Sequence, residues 1–140
     1  MRLSRTVAYA VQAMLQLAQA EGETPVPCSR LAAEGGMPER FLLQILRSLV
    51  THGILESTRG VEGGYRLERN ADEITLLDVI EAIDGPLTST LPIVEGLPRE
   101  CQAKLQCVVT DIAELARRKL QAVKLTQLLP AADGQVSDPG

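Results

Sequence analysis

The sequence predicts a mostly α-helical protein with one small β-hairpin. Two short strand-like runs flank a segment with three glycines, Gly60, Gly63 and Gly64, which is typical of a hairpin. Apolar residues recur at helical spacing elsewhere along the chain. The chain is 45% hydrophobic but only 2% aromatic, so we expect a core of aliphatic side chains.

The chain length and its charge distribution limit the classes of protein to consider. A chain of 140 residues suits one compact domain with an appendage. No apolar run approaches the roughly 20 residues of a membrane span, and the N-terminus lacks the hydrophobic segment of a signal peptide, so we expect a cytoplasmic protein. Residues 1–67 carry seven basic and six acidic side chains, whereas residues 68–140 carry seven and twelve. The resulting charges of +1 and −5 permit DNA binding by the first half.

The first element is an amphipathic helix over residues 3–20. Its apolar positions follow the helical repeat and are Leu3, Val7, Ala10, Val11, Met14, Leu15 and Ala18. Gly22 and Pro25 are expected to end this helix and to open a linker.

Two short helices joined by a tight turn are expected next. The first begins at Val26-Pro27-Cys28-Ser29 and ends at Gly35-Gly36. The second begins at Met37-Pro38, with the proline in the tolerated first turn, and ends at Gly53. Its inner face contains Phe41 or Leu42, followed by Ile45, Leu46, Leu49 and Val50. Such a pair is a helix-turn-helix.

The hairpin follows this pair directly, so the predicted fold is a winged helix-turn-helix. Its tip is Arg59-Gly60-Val61-Glu62-Gly63-Gly64-Tyr65-Arg66. Glycines permit positive φ angles and the close approach of a bulky partner. The arginine on each side of the tip suits a phosphate group or a narrow minor groove.

The helix after the turn is the candidate for reading DNA. In a helix-turn-helix the second helix usually enters the major groove by its N-terminal residues, which here are Pro38, Glu39, Arg40, Leu43 and Gln44. Gln44 can pair with adenine, Arg40 or Arg47 with guanine or phosphate, and Leu43 can contact a thymine methyl group. The alternative is an ordinary solvated helix face.

The second half of the chain contains two further helices. Thr75 and Asp78 resemble a capping box, and the helix that they begin runs to Asp84 before Gly85-Pro86. An irregular, proline-containing loop over residues 86–100 then leads to Cys101. A long amphipathic helix follows from about Leu105, and its apolar stripe is expected to form a dimer with a second copy, or to pack on the first helix; the stripe includes Val108, Ile112, Leu115, Leu120 and Val123.

These residues and their order resemble the Rrf2 family of bacterial winged-helix repressors, which includes iron–sulfur, nitric-oxide and cysteine regulators. The resemblance covers about residues 1–85, and its motifs are Met1-Arg2-Leu3-Ser4, Tyr9-Ala10-Val11, Leu31-Ala32, Phe41-Leu42, Arg59-Gly60, Gly63-Gly64-Tyr65-Arg66-Leu67, Ile74-Thr75-Leu76 and Val79-Ile80. It implies a homodimer on a near-palindromic operator, with the third helix in the major groove and Arg59 in the minor groove. Val61-Glu62 departs from relatives whose wings are often richer in glycine or proline.

The fold and the resemblance together give a domain plan and a DNA-contacting set. The plan is a DNA-binding domain at 1–85, a cysteine-containing sensor loop at 86–106, a dimerisation helix at 107–129 and a disordered tail at 130–140. The expected DNA-contacting residues are Arg2, Ser4, Ser29, Pro38, Glu39, Arg40, Leu43, Gln44, Arg47, Arg59, Gly60, Gly63, Gly64 and Tyr65.

Three cysteines are too few for a disulfide scaffold, and Cys28 is interpreted as a buried thiol. The resemblance implies that cluster-binding relatives carry three cysteines before the long helix. Cys101 and Cys107 match two of these, but Glu95 stands where the first should be. Three hypotheses stay open: an iron–sulfur cluster on Cys101 and Cys107, completed by Glu95, Glu100 or a ligand from a partner subunit; metal-free thiol chemistry; or no role.

The most concrete function is therefore a DNA-binding transcriptional regulator, expected to be a repressor, that senses redox or iron–sulfur status through Cys101 and Cys107. The alternatives are a regulator that responds through metal-free thiols or a small molecule, and a winged-helix module that binds other proteins. An enzyme is not expected. The chain has one histidine, His52, and lacks a nucleophile–base motif, a phosphate-binding loop and the spacing of a metal hydrolase.

Overall fold

The computed structural model describes residues 2–20 and 24–130. Within these ranges the chain forms five α-helices and one two-stranded antiparallel hairpin, as the sequence predicts, and one 3-10 helix where the sequence predicted the end of the long α-helix. The elements are α1 (Arg5–Gln19), α2 (Cys28–Gly35), α3 (Glu39–Thr51), β1 (Leu55–Thr58), β2 (Gly64–Leu67), α4 (Leu76–Asp84), α5 (Arg99–Ala122) and the 3-10 helix Leu125–Leu128. No helix in the described ranges is long and apolar enough to cross a membrane.

Helices α1 to α4 surround an aliphatic core. Helix α1 buries Val7, Ala10 and Met14 completely, because its apolar residues recur every three or four positions. Helix α3 buries four of the inner-face residues expected from the sequence, Leu42, Ile45, Leu46 and Leu49, whereas Val50 is half-buried. Phe41 turns outward and lies edge-on against Tyr9 with 5.8 Å between the ring centroids.

The turn between α2 and α3 is fixed by backbone conformation and by α1. Gly36 adopts the left-handed conformation, with φ of 63°, and ends α2 as a glycine cap. Pro38 is the N-cap of α3 rather than a residue of its first turn, which corrects the predicted start by one residue. From α1, the Gln12 Nε2 donates to the Gly35 carbonyl at 2.7 Å and holds the end of α2.

The wing is anchored to the segment that precedes α2. Strands β1 and β2 pair from Leu55 opposite Leu67 to Thr58 opposite Gly64. On its other edge β2 exchanges two backbone hydrogen bonds with Val26, each of 2.9 Å, through the N–H and carbonyl of Tyr65. The hairpin therefore has a fixed position relative to the helix-turn-helix.

Helix α4 begins with the predicted capping box. The Thr75 hydroxyl accepts from the Asp78 N–H at 3.0 Å, and the Asp78 carboxylate accepts from the Thr75 N–H at 3.0 Å. The chain after α5 returns to this point, because Leu125 N donates to the Ile74 carbonyl at 2.8 Å and Leu125 itself is buried.

Helix α5 differs from its predicted bounds. It begins at Arg99 rather than near Leu105 and ends at Ala122, so Cys101 lies within the helix and not in the loop before it. The first residues of α5 are mostly polar and show no apolar repeat, so hydrophobic periodicity did not predict this first part of the helix. Of the predicted tail, residues 131–140 lie outside the described ranges.

We expect Gly64→Ala to lower the free energy of unfolding by at least about 2 kcal/mol, as measured by urea denaturation. A Cβ atom at Gly64, where φ is 154°, would lie 2.4 Å from the Val26 carbonyl carbon. Gly60→Ala is the matched control, since φ there is 112° but nothing lies within 4 Å of the added atom. Equal losses in the two variants would contradict the close approach of Val26.

Candidate nucleic-acid interface

Helix α3 presents one polar face to solvent. Arg40, Gln44 and Arg47 are exposed and follow one another at helical spacing, and Leu43 beside them is half-buried. The residues at the N-terminal end of this face, Pro38 and Glu39, are also exposed. The structure thus exposes the N-cap Pro38 and the predicted residues Glu39, Arg40, Gln44 and Arg47, with Leu43 half-buried among them.

Some residues of the wing are exposed to solvent, and others maintain the hairpin. Arg59 and Gly60 lie exposed in the turn, on the same connection as Val61 and Glu62. Gly63 and Gly64 are half-buried and serve the hairpin itself, since a Cβ atom at Gly63 would lie 2.2 Å from the Thr58 carbonyl oxygen. Arg59 is therefore the cation that the tip of the wing presents.

The other arginine of the wing is engaged. The Arg66 guanidinium donates to the Glu56 carboxylate across the hairpin. Hydrogen bonding from Arg66 and then Glu68 lowers the pKa of Glu56, whereas the hydrogen bond to Glu56 raises the pKa of Glu68. Much of the positive charge of Arg66 is therefore compensated on the outer face of the wing.

The base of the wing lies beside α2 and α3. The Tyr65 ring is half-buried, and burial raises the pKa of its phenol, with a smaller raising effect from Cys28 and an opposing effect from Arg47. The Cys28 thiol, predicted to be buried, is only half-buried and lies 3.7 Å from the Glu39 carbonyl oxygen. Burial, followed by the charge of Glu39, raises the pKa of this thiol, so both effects disfavour the thiolate.

The remaining predicted DNA-contacting residues lie at two helix starts. Arg2 is exposed before α1, and Ser29 is exposed in the first turn of α2. The Ser4 hydroxyl caps α1, because it accepts from the Val7 N–H at 3.2 Å. His52 caps the other end of α3, where its Nδ1 donates to the Ser48 carbonyl at 2.8 Å.

The long helix α5 carries an exposed apolar stripe. Leu105, Val108, Ile112 and Leu115 are between 45% and 62% exposed, and no residue of α5 is buried. Leu120 and Val123, which the sequence assigned to the dimer face, are half-buried within their own chain. Large apolar side chains arranged in a continuous exposed row mark a surface for another molecule.

Cys101 and Cys107 lie apart on the surface of α5. Both are exposed on α5, where six positions along an ideal helix separate them by about 240° of rotation and about 9 Å of rise. Glu95 is exposed in the segment before the helix. Among the described residues no group of three or more His, Cys, Asp or Glu side chains could hold a metal ion, so the predicted ligands do not fit an iron–sulfur cluster in one chain.

Several residues that position this interface left no signal in the sequence. Val26 holds the wing from 39 residues away, and Gln12 holds the end of α2 from 23 residues away. Glu81 of α4 and Arg117 of α5, which form an ion pair at 2.7 Å, are 36 residues apart. Contacts over such separations have no local pattern, because hydrophobic periodicity and capping motifs report only near neighbours.

The chain is similar to known regulators over almost its whole length. The family model of Rrf2, described as an iron-dependent transcriptional regulator, matches residues 3–131. Rv1287 of Mycobacterium tuberculosis, named as an HTH-type transcriptional regulator, is 40% identical over 139 residues, which cover 99% of this chain and 85% of that protein.

Solved structures show the same fold. CymR, the global cysteine regulator of B. subtilis, matches with a TM-score of 0.74 and 27% identity over 91% of this chain and 95% of that one. T. potens IscR matches with a TM-score of 0.71 and 28% identity, over 91% of this chain and 85% of its own. The chain therefore belongs to the Rrf2 family: it is a winged helix-turn-helix, DNA-binding transcriptional regulator and not an enzyme.

Proposed function

We propose that the protein acts as a homodimeric repressor that binds a near-palindromic operator. The observation that supports this most directly is the exposed polar face of α3 next to a wing whose position is fixed. Arg40, Gln44 and Arg47 extend from α3, and Arg59 extends from the wing tip. In this proposal α3 enters the major groove, and Arg59 reaches the adjacent minor groove, where a narrow groove attracts cations.

The separation of charge along the chain supports this orientation. The first 67 residues, with the helix-turn-helix and the wing, carry a net charge of +1, and the acidic excess lies in the remainder. Within the wing, Glu56 compensates Arg66 on the outer face and leaves Arg59 accessible at the tip. The acidic excess therefore belongs to residues other than those that form α3 and the wing tip.

The apolar stripe of α5 supports the dimer. The four residues Leu105, Val108, Ile112 and Leu115 lie on one side of a helix that buries none of its residues in its own chain. Burying one such side chain completely stabilises an assembly by about 1.5–3 kcal/mol. A second copy supplies an identical stripe and closes the surface by two-fold symmetry.

The thiols of α5 are proposed to act without a cluster held by one chain. Cys101 precedes Leu105 by four residues and Val108 by seven, so it lies at the end of the apolar stripe, whereas Cys107 lies on another side of the helix. Because the sulfur atoms point apart, thiol chemistry here either joins two chains or modifies one sulfur at a time.

We expect Arg59→Ala to weaken operator binding by more than about 1 kcal/mol, roughly fivefold in Kd at fixed salt. The substitution removes a cation from the minor groove but no contact that holds the hairpin. Lys104→Ala is the matched control, because it removes an equal charge from an exposed position on α5. Fluorescence anisotropy with a selected operator measures both, and an unchanged Kd for Arg59→Ala would refute the wing assignment.

Salt dependence separates DNA reading from protein docking. Binding to phosphates releases counterions, so the logarithm of the affinity should fall steeply with the logarithm of the salt concentration. We expect the slope for the operator to be clearly negative and to become shallower in Arg59→Ala. A flat slope for the wild-type protein would favour the winged-helix protein-interaction module instead.

We expect Ile112→Glu to convert the dimer to a monomer, as measured by analytical ultracentrifugation. A carboxylate at this position, where the native side chain is 60% exposed, would be buried twice in a symmetric interface. Gln121→Glu adds the same charge to an exposed position on another side of α5 and should leave the dimer intact. If Ile112→Glu stayed dimeric, the stripe would not be the interface.

We expect no disulfide between Cys101 and Cys107 of one chain in the folded protein. The distance of about 9 Å along the helix exceeds the roughly 4.4–6.8 Å between Cα atoms that a disulfide tolerates. Diamide treatment of Cys28→Ala followed by peptide mass spectrometry tests this, with the guanidine-unfolded chain as the control that should form the bond. Formation of the bond at equal yield in the folded protein would show that this part of α5 unwinds.

A further inference from the structure

Helix α5 is attached to the rest of the chain at two places near its C-terminal end. At Val123 and Leu125, backbone hydrogen bonds of 2.9 and 2.8 Å join the chain to Leu76 and Ile74 at the start of α4. Further along α5, Arg117 Nη1 lies 2.7 Å from Glu81 Oε2 at the middle of α4. Two attachment points on one side of a rigid helix define the angle between that helix and α4.

The second attachment, between Arg117 and Glu81, involves more than a surface ion pair. The same Glu81 oxygen accepts from Arg117 at 2.7 Å and from the Leu87 N–H at 2.8 Å. The side chains of Arg117 and Glu81 are 35% and 28% exposed, so solvent screens the pair less than it screens a fully exposed one. Glu81 thereby joins α4, the start of the following segment and α5.

Toward its N-terminal end, α5 has only a weak polar attachment in the described part of the chain. The Gln106 Nε2 donates to the Ser89 carbonyl at 3.3 Å. The apolar stripe on the same half of α5 is exposed. Among the described residues, the ion pair between Glu81 and Arg117 is the closer polar side-chain contact of α5 with the rest of the chain, at 2.7 Å against 3.3 Å.

The tilt of α5 relative to α4 affects the position of α3, because α4 packs directly against α3. Ile83 of α4 lines a small cleft, of about 140 Å³, together with Gln44 and Ser48 of α3. From Val108 to the C-cap Val123, the chain along α5 spans about 22 Å. A tilt of about 9° displaces the far end by about 3.4 Å, roughly the rise of one base pair.

We propose that Glu81 and Arg117 are positioning residues that set the half-site spacing that the dimer accepts. The proposal rests on the proposed function, in which α5 carries the dimer interface and α3 reads each half-site. With the ion pair in place, each reading helix is held at one angle to the dimer axis. Without it, α5 turns about the Val123–Leu125 attachment and the dimer fits several spacings.

The test first selects operators from a pool of random-sequence duplex DNA with the wild-type, full-length protein. Duplexes with the selected half-sites are then made with the spacer shortened or lengthened by one and two base pairs. The quantity measured is the ratio of Kd for the shifted spacers to Kd for the selected spacer, in wild type and in Arg117→Met, which keeps the aliphatic stem and removes the charge.

We expect this ratio to be at least tenfold for the wild type at a shift of one base pair, and to fall at least threefold in Arg117→Met. Arg117→Lys retains the charge and should keep most of the discrimination. Arg69→Met is the matched control, because Arg69 and Asp78 form a pair of similar exposure, 38% and 36%, that does not touch α5. Its melting temperature can fall, but its ratio should equal that of the wild type.

Two other outcomes contradict the positioning role or the proposed function, and a third calls for a second variant. If Arg117→Met binds the selected operator and keeps the wild-type ratio, the positioning role is wrong and the proposed function stands. If Arg117→Met does not fold, Glu81→Gln takes its place, since the amide oxygen can still accept from Leu87. If the wild type selects no duplex, or selects single half-sites, the proposed function fails and this inference fails with it.

Discussion

Two backbone hydrogen bonds between Val26 and Tyr65 are the constraint on which the reading surface depends. They add one extended residue from before α2 to the edge of the hairpin. Because α2 starts two residues after Val26, the same bonds place the wing relative to the helix-turn-helix. Gly64 permits this approach, since any side chain there would collide with the Val26 backbone. The wing is consequently a part of the domain and not a loose appendage.

The molecule divides its tasks between two regions. Helices α1 to α4 and the hairpin enclose the aliphatic core and carry the polar reading face. Helix α5 lies on α4 and turns its apolar stripe to solvent. Cys101 and Cys107 lie on α5, which packs on α4, and α4 packs in turn on α3. A contact between α4 and α5 is therefore positioned to influence how the reading face is presented.

Much of the fold follows from local patterns in the sequence. The periodicity of α1 and α3, the glycines at the turn and hairpin, and the capping box of Thr75 and Asp78 each depend on residues within a few positions of one another. The bounds of α5 did not follow, because Arg99 to Lys104 has no apolar repeat and Pro98 looked like part of a loop. The outward orientation of Phe41 did not follow either. Phe41 and Leu42 are adjacent and both apolar, so the sequence alone does not say which of them faces the core. In the structure Phe41 packs against Tyr9.

The exposed residues of the candidate site could be predicted from the sequence, but the residues that hold them in place could not. Arg40, Gln44 and Arg59 could be chosen because a helix-turn-helix and a wing expose known positions. Val26, Gln12 and Glu81 act on residues 23 to 39 positions away. A sequence repeat or motif does not encode such pairings, because they form only when separate elements pack together.

Because the polar face of α3 lies outside the core, its side chains can change while the fold is kept. Arg40, Gln44 and Arg47 are exposed, and in the part of the chain that the structure describes they make no hydrogen bond that holds the core. Substitutions at such positions usually change the stability of a protein by no more than about 0.5 kcal/mol. Changes at these three positions are therefore compatible with an unchanged scaffold, because Gly63, Gly64 and Val26 hold the wing independently of them.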